Sequence, residues 1–519
     1  MSITRYELEV ELRAQSPIHS GGTEERVDRG AQRRYGDETR QCEPRLFARD
    51  ATGTPVLPGR SVKGSLRAAC EEAFGATTAH LWGGQDRASA MTVHAIALDR
   101  VEAGTELAER TGIAVDRYWG MAGDGALFVH EILPPGARLS LRLSGRVGSL
   151  DDDGDTDGFE ELLGQILGVL KAGRVSFGGR QNAGWGRVGL AGGKRAWRVE
   201  KTTLDSKEAL RGFLDDTPPG IDIEAAPVPV ANQVRIDIAW NSPTGILVAE
   251  PRPPERDPER QETDPALPLR ARPARPEEPA PPLVLPGSSV RGALRSRATR
   301  IARTILLADD GAAAPADWSS TEVHAQLAQD PQLVRDLFGS TQRRGALMVL
   351  DTLAQGKEPK AMKRTHNAGD RWTGGVANGL LFSEEVPLVK WNRIRLALDL
   401  NRIQGGDDQR RAAMCLLGLT LAELAAGTLP LGSRGTRGLG QVRVTGITVT
   451  GAENLLGDGW SLKADGDDAT GLARALLDRL RAVNDLIGAS EAGGSSWADY
   501  LNGPPKTNAA EAAQDAEGA

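Results

Sequence analysis

The feature that most constrains this chain is that it states one pattern twice. "LPGRSVKGSLR" (57–67) returns as "LPGSSVRGALR" (285–295), and the likeness spreads outward from both copies. Upstream, "YELEVELRAQSP" and "VRIDIAWNSP" alternate apolar and polar residues and stop at a Ser-Pro, the pattern of half-buried strands. Downstream, "HLWGG" (80–84) matches "DLFGS" (336–340), each after a helical stretch and before an apolar, strand-like segment. "VDRYWGMAGDGALFVHEILP" (115–134) then parallels "GDRWTGGVANGLLFSEEVP" (369–387). Last come two glycine-rich loops, "FGGRQNAGWGRVGL" (177–190) and "LGSRGTRGLGQVRV" (431–444). The same order of features in both halves marks a duplication, hence two homologous domains, 1–200 and 233–450, each of ordinary domain size.

The rest of the chain divides around these copies. Residues 201–232 include "DDTPPGIDIEAAPVPV", whose proline and glycine density reads as a linker. Residues 251–282 are Pro-rich and charged and predict a disordered or extended insertion in the second domain. A helical extension is expected over 451–487 and a flexible tail over 488–519. "LDDDGDTDG" (150–158) lacks the closing Glu of a calcium loop and reads as an exposed acidic turn.

Composition narrows the function classes. The chain has 519 residues, 63 Lys plus Arg against 70 Asp plus Glu, and a net charge of −7. Nucleic-acid binding must therefore come from local clusters of cations rather than from overall charge. Three cysteines lie far apart with no CxxC pair, which argues against a disulfide framework or structural zinc and fits a reducing compartment. No apolar run approaches a signal peptide or a membrane span, so a soluble cytoplasmic protein with no membrane partner is expected.

The repeated string itself suggests anion binding. A Pro-Gly turn leads into hydroxyls (Ser61; Ser288 and Ser289) that suit a helix N-cap. Lys63 or Arg291 follows on the first turn, with Arg67 or Arg295 four residues later on the same face. A helix N-terminus, a hydroxyl and two cations form a phosphate site. A single copy would read as a capped surface helix with solvated cations; recurrence beside two glycine-rich loops favours the functional reading. Those loops do not match GxxxxGK[ST], and each precedes a strand rather than opening a helix, which argues against a nucleotide fold. Glycines interleaved with Arg180, Arg434 and Arg437 would instead let a polymer backbone approach main-chain amides and guanidinium groups.

Together, "SPIHSGG", "RDATGTPVLPGRSVKGSLR", "LWGG", "VDRYWG", "GALF" and "FGGRQNAGWGRV", with their second copies, resemble the RAMP superfamily of CRISPR-associated proteins. More narrowly, they resemble two type III effector backbone subunits in tandem. The resemblance implies an α+β fold: two modified RRM-like (ferredoxin-like βαββαβ) RAMP domains, each with a β-hairpin thumb. It implies as partners a guide RNA (crRNA), complementary target RNA and other type III effector subunits. Carried over, it gives guide phosphates to Ser61, Lys63, Arg67, Ser288, Ser289, Arg291 and Arg295. The loops around Arg180 and around Arg434 to Gly440, with Arg437, would line the same path. Residues 115–120 and 369–374, with Arg117 and Arg371, would form the thumbs, and His19 would touch RNA or brace the strand end.

For target cleavage the family uses an Asp before a Pro, in the loop ahead of the Pro-Gly helix. Aligning Arg49 with Arg270 sets Glu43 opposite Asp264, each followed by Pro. Asp264 keeps the expected acid; in the first copy Glu43, Asp37 or Asp28 would serve. The implied chemistry is attack of a 2′-hydroxyl on the adjacent phosphate with a loosely held divalent cation, Mg2+. Two alternatives stay open: a scaffold subunit without catalysis, and a guide-processing endonuclease of the same superfamily.

Overall fold

The computed structural model describes residues 3–21, 44–98, 106–117, 120, 122–148, 155–192, 196–215, 220–250, 266–271, 281–308, 320–356, 360–451, 453–457, 459–464, 466, 468–488 and 496–504. In the first half the elements run β1 (Ile3–Ala14), β2 (Pro44–Arg45), α1 (Gly59–Phe74), β3 (Met91–Val93), β4 (Ala108–Val115), β5 (Ala122–Ile132), β6 (Arg138–Val147), α2 (Thr156–Lys171), β7 (Trp197–Leu204), α3 (Lys207–Asp215) and β8 (Gly220–Ile221). The main sheet has the order β8-β7-β1-β6-β3, every pair antiparallel. The period-two pattern places β1 at its centre: Tyr6, Leu8, Val10 and Leu12 point into the core while charged residues alternate outward. Helices α1 and α2 cover that face, with Val62 and Leu66 from one and Phe159, Leu162, Ile166 and Leu170 from the other. Each such fully buried side chain contributes about 1.5–3 kcal/mol relative to exposure. Helix α2 is capped by Asp155, whose carboxylate accepts from Gly158 N at 2.8 Å.

The second half repeats the plan: β9 (Gln233–Asn241), α4 (Gly287–Ala308), α5 (Val323–Ala328), α6 (Gln332–Phe338), β10 (Leu347–Val349), β11 (Lys360–Gly369), β12 (Val376–Leu388), β13 (Ile394–Asp399), α7 (Gly406–Ala425), β14 (Arg443–Thr450), β15 (Trp460–Lys463) and α8 (Ala469–Asn484). Its sheet order, β10-β13-β9-β14-β15, places the repeated strands in the same relation. Both halves also send out a long antiparallel hairpin, β4–β5 and β11–β12, separate from the main sheet.

The boundaries differ from the sequence reading in three places. The described residues of 201–228 (201–215 and 220–228) are not a free linker. They complete β7, form α3 and β8, and then lie along α2, where Ile223 and Val228 pack on the core and Ala226 N donates to Gly164 O at 2.9 Å. The extension over 451–487 is integral to the second domain: β15 adds to the sheet, and α8 packs on α7 so closely that a Cβ on Gly418 would fall 2.3 Å from Leu480. Within the expected tail, Ser496 caps a turn at Trp497–Tyr500, and Leu501 is buried with its carbonyl accepting from Leu333 N. In each case isolated apolar residues among small and charged ones anchor a segment whose average composition is that of a loop. Of the Pro-rich insertion, residues 266–271 return to the fold through bridges Ala249↔Pro268 and Arg270↔Leu283.

Candidate nucleic-acid interface

The two Pro-Gly helices begin flush against a strand end. A Cβ on Gly59 would sit 2.1 Å from Val93 O, and one on Gly287 2.2 Å from Val349 O, so only glycine fits at either start. This corrects the expected caps. Pro58 is the N-cap of α1 with no side-chain bond, and Ser61, like Ser288 and Ser289, lies inside the first turn. In α4 the Gly287 amide donates to Asp351 Oδ1 at 2.8 Å, so a carboxylate of the protein occupies the place expected for a phosphate. The cations are likewise turned onto protein groups. Lys63 Nζ donates to Met91 O at 3.2 Å, and Arg67 to Glu71 at 2.7 Å and Gly83 O at 3.1 Å. Arg291 donates to Leu347 O and Phe338 O and lies over the Phe338 ring; burial lowers its pKa to about 10. Arg295 holds Asp330 through two bonds of 2.7 and 2.9 Å.

The glycine-rich loops are built differently. Arg180 (φ 57°) and Arg434 (φ 64°) are the described non-glycine residues in the left-handed region, each just ahead of a single 3-10 turn. The first loop is pressed against the strand end that carries His19: a Cβ on Gly178 would lie 2.1 Å from His19 O. The Arg180 guanidinium lies over Phe128 (4.6 Å) and Trp185 (5.3 Å), with Nη1 3.4 Å from His130 Nε2. His19 meets His130 edge-on at 4.7 Å and bonds the Glu131 carbonyl through Nδ1 at 2.7 Å. Burial, then the charge of Arg180, holds His130 at a pKa of about 3; burial also lowers His19. Burial, then Arg45 and Arg110, lowers Arg180 to about 10, and no carboxylate among the described residues pairs with it. The result is a cationic, aromatic-walled nest with exposed Arg45 at its side.

In the second domain the same hairpin position carries Glu384 instead of His130. Arg434 Nε meets Glu384 Oε2 at 3.1 Å, and His366 Nε2 meets Oε1 at 2.9 Å. The two loops ahead of the helices keep one register, since Arg45 pairs in parallel with His130 and Ala266 with Glu384. Glu43 and Asp264 therefore stand two residues before equivalent pairing points. Asp37, Glu43 and Asp264 themselves lie outside the described residues, as does Asp28. Among the described residues no group of three or more His, Cys, Asp or Glu side chains is arranged to hold a metal ion.

The first hairpin seats on the second domain. Arg110 pairs with Asp351 at 3.0 Å, and Arg117 with Asp330 at 2.5 Å, where Asp330 also receives Arg295 and Thr299. Gln326 bridges Arg117 N and Asp116. Arg371, the matching residue of the second hairpin, is exposed at a turn that Asp370 closes by accepting from Trp372 N and Thr373 N. Sequence reasoning passed over Arg45, His130, Asp330 and Asp351. Arg45 and His130 stood inside segments already aligned between the copies. Asp351 and Asp330 had no signal, for the first copy has Ala95 in place of one and no α5 segment to carry the other.

These features define a class: a tandem protein made of two copies of one antiparallel α+β domain, each with a projecting hairpin and an arginine-bearing glycine loop. The family profile of the RAMP superfamily matches residues 11–189 and 279–443, one match in each half, and the chain belongs to that superfamily as a CRISPR-associated protein with two RAMP domains in tandem. No curated protein matches the chain. No helix among the described residues is long and apolar enough to cross a membrane.

Proposed function

We propose that this protein is a guide-RNA-binding backbone subunit of a type III CRISPR effector, acting in the cytoplasm in antiviral defence, and that it also cuts target RNA paired to its guide. In this reading each main sheet with its helices is a ferredoxin-like βαββαβ core and each hairpin a thumb. The observation that carries it is the Arg180 nest. A guanidinium held partly out of water, stacked on aromatic rings, without a carboxylate among the described residues and beside a second arginine, gains most from a phosphate that enters next to it. Phosphate contacts of this kind are indifferent to sequence and leave specificity to base pairing. Arg434 already has Glu384, so the first domain holds the guide backbone more strongly than the second.

For cleavage, Asp264 is the carboxylate proposed to orient or deprotonate the target 2′-hydroxyl, with Glu43 or Asp37 as its counterpart in the first domain. The 2′-oxygen bonds to the adjacent phosphorus, the bond to the 5′-oxygen breaks, and a 2′,3′-cyclic phosphate and a 5′-hydroxyl result. A divalent cation, Mg2+, would supply charge neutralisation at that phosphate.

Filter binding of guide RNA across a salt series tests the binding assignment. Arg45→Ala and Arg180→Asn, the latter chosen because Asn tolerates a left-handed backbone, should each weaken all guide sequences alike and make the salt slope shallower by about 1. Curves superimposable on wild type would remove it. For cleavage, the assembled complex is mixed with labelled complementary RNA and Mg2+, comparing Asp264→Ala, Glu43→Ala and Asp37→Ala with wild type. Loss of cuts at regularly spaced sites is expected for Asp264→Ala, whereas unchanged cutting in all three would leave a binding scaffold.

A further inference from the structure

Where the first domain meets the second, the chain leaves a cleft of about 500 Å³ lined from both sides. Gln15 and Arg187 face it from the first domain, and Asn392, Arg393 and Arg395 from the second. The carboxylate in its lining, Asp351, is already taken by Arg110 and by the Gly287 amide. The side chains of Arg187, Arg393 and Arg395 have no hydrogen-bond or ion-pair partner among the described residues. The Arg110–Asp351 pair cancels, so these three arginines leave the cleft strongly positive. The two sheets show how unusual the placement of Arg395 is. Arg142 lies opposite Glu9 across β6 and β1, and Arg395 lies opposite Asp237 at the same position across β13 and β9. Arg142 takes its carboxylate at 2.9 Å. Arg395 makes no such pair with Asp237 and instead lines the cleft with Arg187. Burial, and then the charges of Arg395 and Arg235, lowers the pKa of Arg187. In the second glycine loop Arg187 is replaced by the neutral Gln441, as "GWGRV" (184–188) aligns with "GLGQV" (438–442). Like charges gathered in a partly dry cleft repel until an anion joins them.

The size and walls of the cleft narrow the anion. A bare phosphate would fill only a small part of it, and the remaining wall is apolar, with Ile132, Pro135, Pro282, Val284, Leu350 and Leu353. A flat ring suits such a wall, and the exposed amides of Gln15 and Asn392 offer donors and acceptors to the edge of a base. We propose that the cleft binds a free nucleoside phosphate, its phosphate on Arg187, Arg393 and Arg395 and its base against the proline and aliphatic wall. A ligand that touches both domains stabilises their junction by mass action. The lining shares no residue with the nest of Arg180, Phe128, His130 and Trp185. The inference therefore stands apart from the assignment of guide phosphates to that nest.

The test is isothermal titration of the full chain, free of RNA and loaded with guide RNA, using adenosine 5′-monophosphate (AMP) as the probe and inorganic phosphate and adenosine as comparison ligands. AMP should bind saturably to both preparations, and phosphate and adenosine should each bind about tenfold or more weakly. Arg187→Gln and Arg395→Gln should each weaken AMP by about tenfold or more, whereas Arg142→Gln, at the matching position of the first sheet, should leave it unchanged. Neither Arg187 nor Arg395 has a protein partner to lose, so both variants should keep the fold, which circular dichroism on the same samples checks. Absence of AMP binding in the wild type would overturn the inference, as would wild-type affinity in Arg187→Gln and Arg395→Gln. Phosphate binding as tight as AMP would reduce the cleft to a bare anion site and overturn it too. So would loss of AMP on guide loading, because the arginines would then belong to the guide. A chain that binds guide RNA but no AMP defeats this inference alone, and one that binds AMP but no guide RNA defeats only the proposed function.

Discussion

Arg180 and Arg434 hold the same left-handed turn in opposite company, and that difference has measurable consequences. Arg434→Asn leaves Glu384, 1% exposed, paired with His366 and without its arginine, and should cost about 1–3 kcal/mol. Arg180→Asn gives up the cation–π contacts to Phe128 and Trp185 and the contact to His130 Nε2 but no longer holds out of water a guanidinium that has no carboxylate among the described residues, so stability should change by about 1 kcal/mol or less while RNA affinity falls. Urea unfolding of the two variants should therefore rank them in the reverse order from RNA binding. His130 adds a pH signature. Its pKa falls from 6.5 to about 3 in the folded protein, so at any pH between these values the unfolded chain binds a proton that the native one does not. Stability is present in full above about 6.5 and declines toward pH 3, by at most about 1.4 kcal/mol per pH unit from this group. Replacing His130 with Gln should flatten unfolding free energy against pH over that window; an unchanged profile would show that His130 is not its source.

At the scale of elements, the helix starts show what a sequence can and cannot say. The strands β1 and β9 were legible because alternation of Tyr6, Leu8, Val10 and Leu12, or Val234, Ile236, Ile238 and Trp240, has one physical meaning when one face is buried. The helix after each Pro-Gly was legible for similar reasons. What its cations touch was not, because a lysine or arginine on a first turn looks the same in sequence whether it reaches solvent, a strand-end carbonyl or a buried acid. Gly287 makes the packing reading testable. Gly287→Ala drives a methyl into Val349 O and should cost about 1–3 kcal/mol, whereas Gly292→Ala, with open space around it in the same helix, should stabilise by about 0.5–1 kcal/mol. Equal effects on the melting temperature would contradict the close approach. The inter-domain clasp has its own test: Asp330→Asn strips the charge from the acid that Arg117 and Arg295 share and should cost about 3–5 kcal/mol in urea unfolding. A loss within experimental error would mean that the clasp contributes nothing.

Over the whole molecule, the duplication was readable because five separate segments recur in one order, and it led to the fold class and the family. The inequality of the two halves was not readable at that level. It comes from single exchanges: His130 for Glu384, whose partners Arg180 and Arg434 meet them within the same domain from a distant loop, and Ala95 for Asp351, whose partner Arg110 becomes a neighbour only when the first hairpin lies across the second domain. Whether the chain carries a guide RNA is read most directly from what the protein holds when made in a cell. Full-length protein expressed with a CRISPR array is purified, and the RNA that travels with it is sequenced. Short array-derived RNAs that share repeat sequence and carry every spacer without preference are expected. Protein free of RNA, or carrying RNA drawn at random from the cell's transcripts, would contradict it.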